Sequence, residues 1–443
     1  MAESVSVQST CIIKPKNPTP PHHMFLAAAD FIWRWFHYNQ RILFFKLDPP
    51  PSSSESLIAR LKSSLSLALV EFFPWGGRCF EQENGRLALD CNDAGVPFIE
   101  AYVDLPFSSL EKDGFQYQPF FKHLAPHGDV RATGPDTPLL SIQVTRFPRD
   151  EGLVLGIGHS HIVADGSSVW HFMKSWGECA RGVPLSMHPV HMREALGSGA
   201  LSLPPPFPPG QNDKHGPPPF LEGGGSKSEL VQHNFHFTSE MVRKLKDMAT
   251  SSYPTTDHTP FSSLQALSAH MWKHVIAASD VDESLKSIYF VIANMRSRVD
   301  PPLPEGYFGN AIIREGIGAK REELLQESLG TTALRIQRLI QTLDETLMKT
   351  MYGQVEGLPP SKLFGGMDFR MVRLQLSSSP RFPVYDVDFG WGPALSVQCP
   401  LIRGDGEMVW FPGPGGGGSI DISLALKKHV MERLKQDESF LYF

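Results

Sequence analysis

The stretch Leu153-Val-Leu-Gly-Ile-Gly-His-Ser-His161-Ile-Val-Ala-Asp165-Gly166 changes character twice within a few residues. Its first part is apolar, which predicts a buried strand, and its glycines indicate points where another segment comes close to the backbone. A polar turn that carries His161 and Asp165 follows. A histidine at a strand end, between two packed elements, is well placed to act as a general base.

A helix is predicted directly after this turn. Its apolar residues recur with the spacing of one helix face, and Gly182 marks its end. Ser167 or Ser168 is expected to cap its start, because a serine oxygen can accept a hydrogen bond from a free backbone N–H of the first turn. The two polar residues of the turn are therefore held between a strand and a helix.

Length and composition describe an ordinary globular protein. The chain has 443 residues, a net charge of −6 and no basic stripe of the kind that nucleic-acid binding requires. Its five cysteines are scattered, so we expect free thiols rather than a disulfide framework or a zinc ribbon. The sequence shows neither a signal-peptide pattern nor a long apolar run, which predicts a cytoplasmic protein without a membrane span.

Strand and helix patterns alternate along the whole chain, which predicts an α/β protein with two similarly built halves. The proline- and glycine-rich segment 186–227 separates them and is expected to be an exposed crossover. The predicted domains are therefore 1–185 and 228–443. A long helical pattern at 321–351 is expected to break at Gly330.

Several motif-like patterns fail on inspection. His159 and His161 point to the same side of a strand but lack a third zinc ligand at the usual spacing, so no metal site is predicted. Gly158-His-Ser-His-Ile162 does not complete the nucleophile elbow of a serine hydrolase. The glycines at 413–418 precede a strand rather than a helix, so they offer no helix N-terminus to a pyrophosphate.

His161 with Asp165 four residues later is a weak signal alone, because the chain holds 17 histidines. A hydrogen-bonded core histidine beside a turn aspartate explains it as well as a general base does. Arg296 and Arg298 end another predicted strand before a proline turn. Each could pair a buried carboxylate, bind an anion or face solvent, and we favour buried pairing.

Five segments in order resemble the plant BAHD family of acyl-CoA-dependent acyltransferases. Within this family the sequence is most similar to the type named for defective cuticular ridges, and it also has features of flavonoid malonyltransferases. The five segments are His161-x-x-x-Asp165-Gly166, Arg296-x-Arg298-x-Asp300-Pro-Pro, Tyr307-Phe-Gly-Asn310, Ser379-Pro-Arg381-Phe382 and Asp388-Phe-Gly-Trp-Gly392. One of these motifs alone would say little. Their shared order along nearly the whole chain makes the resemblance specific.

The resemblance implies two chloramphenicol-acetyltransferase-like domains, each a mixed sheet with flanking helices, and a channel between them. Acyl-CoA is then the donor substrate, and no cofactor is bound permanently. His161 would take the proton from an acceptor hydroxyl or amine as that atom attacks the thioester, without a covalent enzyme intermediate. Asp165 would point away from the chemistry and pair with Arg298, or alternatively with Arg296.

The resemblance also suggests supporting residues. Asp388, Gly390, Trp391 and Gly392 would be structural, and Ser262 and Ser263 would lie near coenzyme A. Phe31, Tyr38 and Arg381 would contribute to the pocket for a small alcohol, phenol or amine, although core packing explains the aromatic residues almost as well. A monomer is expected. A CoA-independent lyase and a non-catalytic binding protein remain the alternatives.

Overall fold

The computed structural model describes residues 4–48, 53–83, 87–127, 134, 136–196, 230–253, 260–280, 286–355 and 372–443. The strands are β1 (Val5–Ile13), β2 (His23–Phe25), β3 (Asn39–Lys46), β4 (Arg78–Glu81), β5 (Leu87–Asp90), β6 (Val96–Val103), β7 (Leu140–Arg146), β8 (Gly152–His159), β9 (Leu230–Phe237), β10 (Lys286–Asn294), β11 (Ile312–Lys320), β12 (Arg373–Leu376), β13 (Ser396–Gln398), β14 (Glu407–Pro412) and β15 (Ile420–Lys427). The helices are α1 (Ala28–Phe31), α2 (Ser54–Glu71), α3 (Phe107–Lys112), α4 (Gly166–Arg181), α5 (Ser239–Ser251), α6 (Ser263–Ala278), α7 (Arg321–Gln326), α8 (Leu329–Gln341), α9 (Glu345–Val355), α10 (Lys428–Gln436) and α11 (Glu438–Leu441). None of the helices in these ranges is both long and apolar enough to cross a membrane.

Two six-stranded sheets organise the two halves. The first has the order β1-β6-β7-β8-β3-β13, and the second has the order β11-β10-β12-β14-β15-β9. Both are mixed, because β6 and β7 are parallel in the first, and β10, β12 and β14 are parallel in the second. A small sheet, β2-β5-β4, belongs to the first half. The predicted α/β class with two similarly built halves is confirmed.

Strand β8 is buried along its whole length, as the sequence predicts. Leu153, Leu155 and Ile157 belong to the core that includes α2 and α4, whereas Val154 belongs to a second core on the opposite face of the sheet. A strand that is buried on both faces has a continuous apolar sequence rather than alternating apolar and polar residues. The predicted close approach is also present, because a Cβ on Gly156 would lie 1.9 Å from the carbonyl oxygen of Leu124.

A segment of the second half packs into the core of the first. Strand β13 pairs with β3, so it occupies the edge of the first sheet that β3 would otherwise leave open. The buried residues of this segment that join the first core are Val384, Val387, Phe389, Ala394, Val397, Cys399 and Ile402. The predicted domain range 228–443 thus contains a piece that belongs physically to the other half.

The start of the predicted crossover is attached to the second half at Val190 and buried at Arg193. Val190 donates to the carbonyl of Gly306 and accepts from the backbone N–H of Phe308, at 2.9 and 3.0 Å. Arg193 is only 1% exposed. The expectation of an exposed linker is therefore wrong for Arg193, whereas Ser186, His188, Met192, Glu194 and Ala195 are exposed as expected. Residues 197–227 lie outside the described residues.

The helical pattern at 321–351 divides into three helices, but not at Gly330. The interruptions fall before Ser328, which caps α8, and between α8 and α9. Gly330 lies in the first turn of α8 and is buried, and a Cβ there would be 2.3 Å from the carbonyl oxygen of Ala249. This glycine permits close packing of α8 on α5, so the predicted break at Gly330 is wrong.

We predict that Gly156→Ala destabilises the protein by about 1–3 kcal/mol, because the added methyl overlaps a backbone carbonyl that cannot rotate away. The control is Gly415→Ala, where a Cβ would have no atom within 4 Å. The control should change the free energy of unfolding by less than about 0.5 kcal/mol. Denaturant titration of both variants measures the difference, and equal midpoints would contradict the prediction.

Candidate active site

The turn after β8 places His161 at the end of the buried strand. Ser160 donates its backbone N–H to the carbonyl of Leu139 at 2.8 Å, which keeps the chain attached to β7 just after the strand ends. Val163 then donates to the carbonyl of Ser160 at 3.3 Å and closes a tight turn. His161 is partly buried, whereas the residues on either side of it in the chain are fully buried.

The imidazole of His161 stacks on the indole of Trp33. Their ring centroids are 3.9 Å apart and the planes are inclined by 23°. The Nδ1 atom is buried and makes no hydrogen bond to the described residues. Burial lowers the pKa of His161 to about 4, although Asp165 and the side chain of Asn310 act in the opposite direction. The ring is therefore neutral at pH 7, which is the state a general base requires.

Asp165 is held by a different set of partners. Arg296 binds its carboxylate with both terminal nitrogens, at 2.7 and 2.9 Å, and the carboxylate also accepts the backbone N–H of Ser168 and of Ala311, at 3.1 and 3.0 Å. Burial alone would raise the pKa of Asp165, but Arg296 and these hydrogen bonds bring it below its ordinary value. Since the carboxylate is fully buried and committed to these donors, Asp165 is not the third member of a triad with His161.

Asp165 also caps helix α4, which corrects the predicted serine cap. The helix begins at Gly166, so Ser167 and Ser168 already lie inside its first turn. The Ser168 hydroxyl instead contacts Arg296 at 2.9 Å and the backbone of Gly309. Gly182 ends the helix with φ of 69°, as predicted.

Arg298 does not pair with Asp165, so that prediction is wrong and the alternative, Arg296, is correct. Arg298 donates to the carbonyls of Ile340 and Leu343, at 3.0 and 2.6 Å, where α8 ends. The two arginines follow the same strand, β10, but bind different segments of the chain. Their order in the sequence does not reveal which of them faces α4.

A second buried network lies beneath the turn and was not predicted. Asn310 donates its side-chain N–H to the carbonyl of His161 and to Asp30, both at 2.8 Å. Asp30 forms an ion pair with Arg193 at 2.7 Å, and both side chains are almost completely buried. Arg193 also donates to the carbonyl of Val163 at 2.5 Å. The backbone of the turn is thus fixed at His161 and at Val163 by groups from distant segments.

The segment Asp388–Gly392 packs on the far side of α4. One oxygen of Asp388 accepts the backbone N–H of Gly390 and of Gly392, at 2.7 and 2.9 Å, and this closes a tight loop in which both glycines have φ of 98°. Phe389 is buried against Trp176 of α4, and Trp391 stacks on Phe389 at 5.5 Å. The structural role predicted for Asp388, Gly390, Trp391 and Gly392 stays a prediction.

Ser262 caps α6, and Ser263 is its first residue. The Ser262 oxygen accepts the backbone N–H of Gln265 at 3.3 Å, while the Gln265 side chain accepts the backbone N–H of Ser262 at 2.7 Å. This reciprocal arrangement is a capping box. The assignment of both serines to coenzyme A stays a prediction.

The residues predicted for the acceptor pocket differ in exposure. Phe31 is buried with the guanidinium of Arg34 4.0 Å above its ring, and Tyr38 is buried with its ring 5.3 Å from His127. Arg381 is exposed. Phe31 packs in the first core, so its aromatic character is explained by packing. The assignment of all three to an acceptor pocket stays a prediction.

The site thus consists of the neutral imidazole of His161, fixed at the end of β8, and the buried ion pair of Asp165 and Arg296, which joins the two halves. Within the described ranges, no group of three or more histidine, cysteine or acidic side chains is arranged to hold a metal ion. All five cysteines are free thiols. Such a site can accept a proton from a substrate without help from a charged protein partner.

We predict that the rate is insensitive to acid until the pH approaches the low pKa of His161. Because the base must be neutral, kcat/KM should stay constant from about pH 8 to about pH 5 and then fall as the imidazole gains a proton. A pH profile of kcat/KM measures this, together with NMR titration of the His161 ring. An acidic limb near the ordinary histidine value of about 6.5 would contradict the prediction.

We predict strong coupling between Asp165 and Arg296 but not between Asp165 and Arg298. Asp165→Asn should destabilise the protein by about 3–5 kcal/mol, because it leaves the guanidinium beside a neutral amide in a buried site. The double-mutant cycle with Arg296→Gln should give a coupling of about 0.5–3 kcal/mol.

The matched control is the cycle of Asp165→Asn with Arg298→Gln, which should be additive within about 0.5 kcal/mol. Denaturant unfolding measures all five variants. Because the pKa of Asp165 is lowered by folding, its stabilising contribution should be complete at neutral pH and be lost as the pH falls through the folded-state pKa. Equal coupling in both cycles would refute the pairing seen in the structure.

Comparison with known sequences places these motifs in one family. A family model described as "Transferase family" matches residues 3–441. The BAHD acyltransferase DCR of Arabidopsis thaliana is 31% identical over 99% of this chain and 92% of its own length. The shikimate O-hydroxycinnamoyltransferase of Nicotiana tabacum is 28% identical, with 99% of both chains covered.

Solved structures share the fold. Vinorine synthase superposes with a TM-score of 0.74 at 22% identity, covering 99% of this chain and 98% of its own. TRI101 of F. sporotrichioides, complexed with coenzyme A and T-2, has a TM-score of 0.76 at 20% identity and covers 95% of this chain and 98% of its own. The chain therefore belongs to the BAHD family of acyltransferases, whose chloramphenicol-acetyltransferase-like fold it adopts.

Proposed function

We propose that this enzyme transfers an acyl group from acyl-CoA to a hydroxyl or amine of a small plant metabolite, with His161 as the general base. The observation that carries the proposal is the neutral imidazole, stacked on Trp33 and fixed at the end of β8. Asp165, the carboxylate that acts on the pKa of this ring, is bound by Arg296 and two backbone N–H groups instead. The acceptor proton is the proton that such a base is suited to remove.

The chemistry proceeds in two stages. Nε2 of His161 accepts the proton of the acceptor as its oxygen or nitrogen attacks the thioester carbonyl carbon, and the carbonyl electrons move to the oxygen. The oxyanion then re-forms the carbonyl and expels the CoA thiolate, which takes the proton from the imidazolium. The low pKa of His161 favours this second proton transfer, since the buried ring holds a proton weakly. No covalent bond to the protein forms.

Asp165 contributes through structure. Because its carboxylate binds Arg296, Ser168 and Ala311, it cannot accept a hydrogen bond from an imidazolium in this arrangement. It instead fixes the start of α4 to the second half of the chain. The proposed mechanism therefore needs one acid–base residue rather than a dyad.

The names of the relatives support both classes of acceptor. A shikimate O-hydroxycinnamoyltransferase of Nicotiana tabacum acts at oxygen, and a hydroxycinnamoyl-CoA:5-hydroxyanthranilate N-hydroxycinnamoyltransferase of Avena sativa, 29% identical over 98% of this chain, acts at nitrogen. Either reaction fits a neutral base that removes one proton from the attacking atom.

Further features belong to the same proposal. Acyl-CoA enters a channel between the two domains, near Ser262 and Ser263, and the acceptor enters from the other side, near Phe31, Tyr38 and Arg381. The domains span 1–185 and 228–443, apart from the segment that joins the first core. The enzyme acts as a cytoplasmic monomer without a permanently bound cofactor.

We predict that His161→Ala lowers turnover by about 10²–10⁴-fold, the usual effect of losing a general base. The control is His188→Ala, since His188 is an exposed histidine whose ring contacts Glu71. Release of free thiol from a panel of acyl-CoA thioesters with plant alcohols, phenols and amines measures the rate. Calorimetric titration with coenzyme A should give the same affinity for both variants.

Each outcome separates the candidate functions. Undiminished turnover by His161→Ala would show that another group is the base. Conversion of an acceptor without consumption of acyl-CoA would indicate a lyase. Binding of coenzyme A and an acceptor by the wild-type protein, with no turnover for any pair, would indicate a binding protein.

A further inference from the structure

The indole of Trp33 is in direct contact with the imidazole of His161. The ring centroids are 3.9 Å apart and the planes are inclined by 23°, so the indole covers one face of the imidazole. Phe36 packs against the indole in turn, at 5.0 Å between centroids and 57° between planes. The Nε1–H of Trp33 is buried and donates to no acceptor among the residues that the structure describes. Trp33 therefore acts on His161 through the face of its ring and not through a hydrogen bond.

The segment that carries Trp33 is fixed to the turn of His161 by buried hydrogen bonds. Trp33 lies in a single 3₁₀ turn, Ile32–Trp35, which follows α1 directly. Asp30 of α1 accepts the backbone N–H of Asn310 at 3.2 Å and its side-chain N–H at 2.8 Å. The same side chain of Asn310 donates to the carbonyl of His161 at 2.8 Å. One amide group thus connects the backbone of the base to the segment that supplies the stacked indole.

Within the described residues, the ring of His161 lacks the hydrogen bond to a carboxylate that orients the imidazole of a catalytic triad. Asp165 is bound by Arg296 and by backbone N–H groups, and Nδ1 of His161 has no hydrogen bond in this part of the chain. The side-chain N–H groups of Asn310 are used by Asp30 and by the carbonyl of His161. The torsion that turns an imidazole ring about its bond to Cβ has only broad preferences of its own. The stacked indole restricts this rotation, because a turned ring would push its edge into the indole.

We propose that Trp33 is the positioning residue of the general base, and that its stacked indole holds the imidazole of His161 with Nε2 toward the acceptor. This inference rests on the proposed function, because it assigns the group that orients the base of that reaction. A displacement of about 1 Å at a reacting group can cost about 10²-fold in rate, so confinement of the ring contributes to turnover. An aromatic partner confines the ring without adding a negative charge, which leaves the imidazole neutral.

The test compares two substitutions of Trp33 in the full-length protein, each with and without His161→Ala. Trp33→Phe keeps a ring that can stack but lacks the N–H, whereas Trp33→Leu keeps an apolar side chain without a ring. The matched control is Phe73→Leu, which removes a half-buried ring 4.5 Å from another histidine, His191. Release of free thiol, with the acyl-CoA and acceptor that the wild type converts fastest, measures kcat and the KM of acyl-CoA.

We expect Trp33→Leu to lower kcat by about 10–100-fold and to leave the KM of acyl-CoA unchanged, because a ring that is free to turn meets the acceptor less often. Trp33→Phe should recover most of this loss, since a phenyl ring can also stack. In the His161→Ala protein, Trp33→Leu should cause no further loss, because a residue that acts only through the base has nothing left to orient. Phe73→Leu should leave kcat unchanged in both proteins.

A second measurement does not depend on turnover. The ring protons of His161 lie over the face of the indole, so their NMR signals should be shifted upfield in the wild type and in Trp33→Phe. Trp33→Leu should remove this shift, and nuclear Overhauser contacts from the imidazole should then show more than one ring orientation. A wild-type protein without acyl transfer would refute the proposed function, whereas these spectra would still decide whether the indole orients the ring.

An equal loss of kcat from Trp33→Leu with and without His161 would overturn the proposal, since that is the result of a purely structural role. An undiminished kcat in Trp33→Leu would also overturn it, as would a Trp33→Phe protein that recovers none of the loss or an imidazole with a single orientation in every variant. Melting temperatures identify any variant that unfolds. Trp33→Met, which has a longer apolar side chain without a ring, replaces Trp33→Leu in that case.

Discussion

The bidentate ion pair between Asp165 and Arg296 is the interaction on which the rest of the site depends. It joins the N-cap residue of α4 to the turn after β10, and so joins the first half of the chain to the second. A buried carboxylate is costly unless all of its oxygen positions are satisfied, and here two guanidinium nitrogens and two backbone N–H groups satisfy them. Any shift of one half against the other would leave that charge exposed to an apolar interior.

The same pair explains why the aspartate is not part of the acid–base chemistry. Its hydrogen bonds are made with Arg296, Ser168 and Ala311, and the His161 imidazole lies against an aromatic face with no ion pair to a carboxylate among the residues that the structure describes. That environment disfavours the charged ring and keeps it neutral over the physiological range. In the proposed mechanism, the neutral ring is ready to accept a proton although it is a weak base, and this weakly held proton then passes to the leaving thiolate.

The two halves are also linked by exchanged elements. Strand β13 completes the first sheet, and the loop at Asp388–Gly392 docks its two aromatic rings on α4 and β3. In the opposite direction, Arg193 reaches from the segment after α4 to Asp30, beneath Asn310 of the second half. The turn with His161 is therefore surrounded by segments that are far apart in sequence, and its geometry is set by their mutual packing.

The sequence by itself determined the α/β class, the strand and helix around His161, the family and the candidate base, because these follow from local periodicity and from motifs in a fixed order. Tertiary structure alone decided that Arg296 rather than Arg298 binds Asp165, since both follow the same strand and only the turn geometry directs one of them to α4. It also decided that Gly330 serves close packing and that Trp33 stacks on His161. Contacts between distant segments depend on how the two halves pack against each other. No local pattern of residues determines that packing.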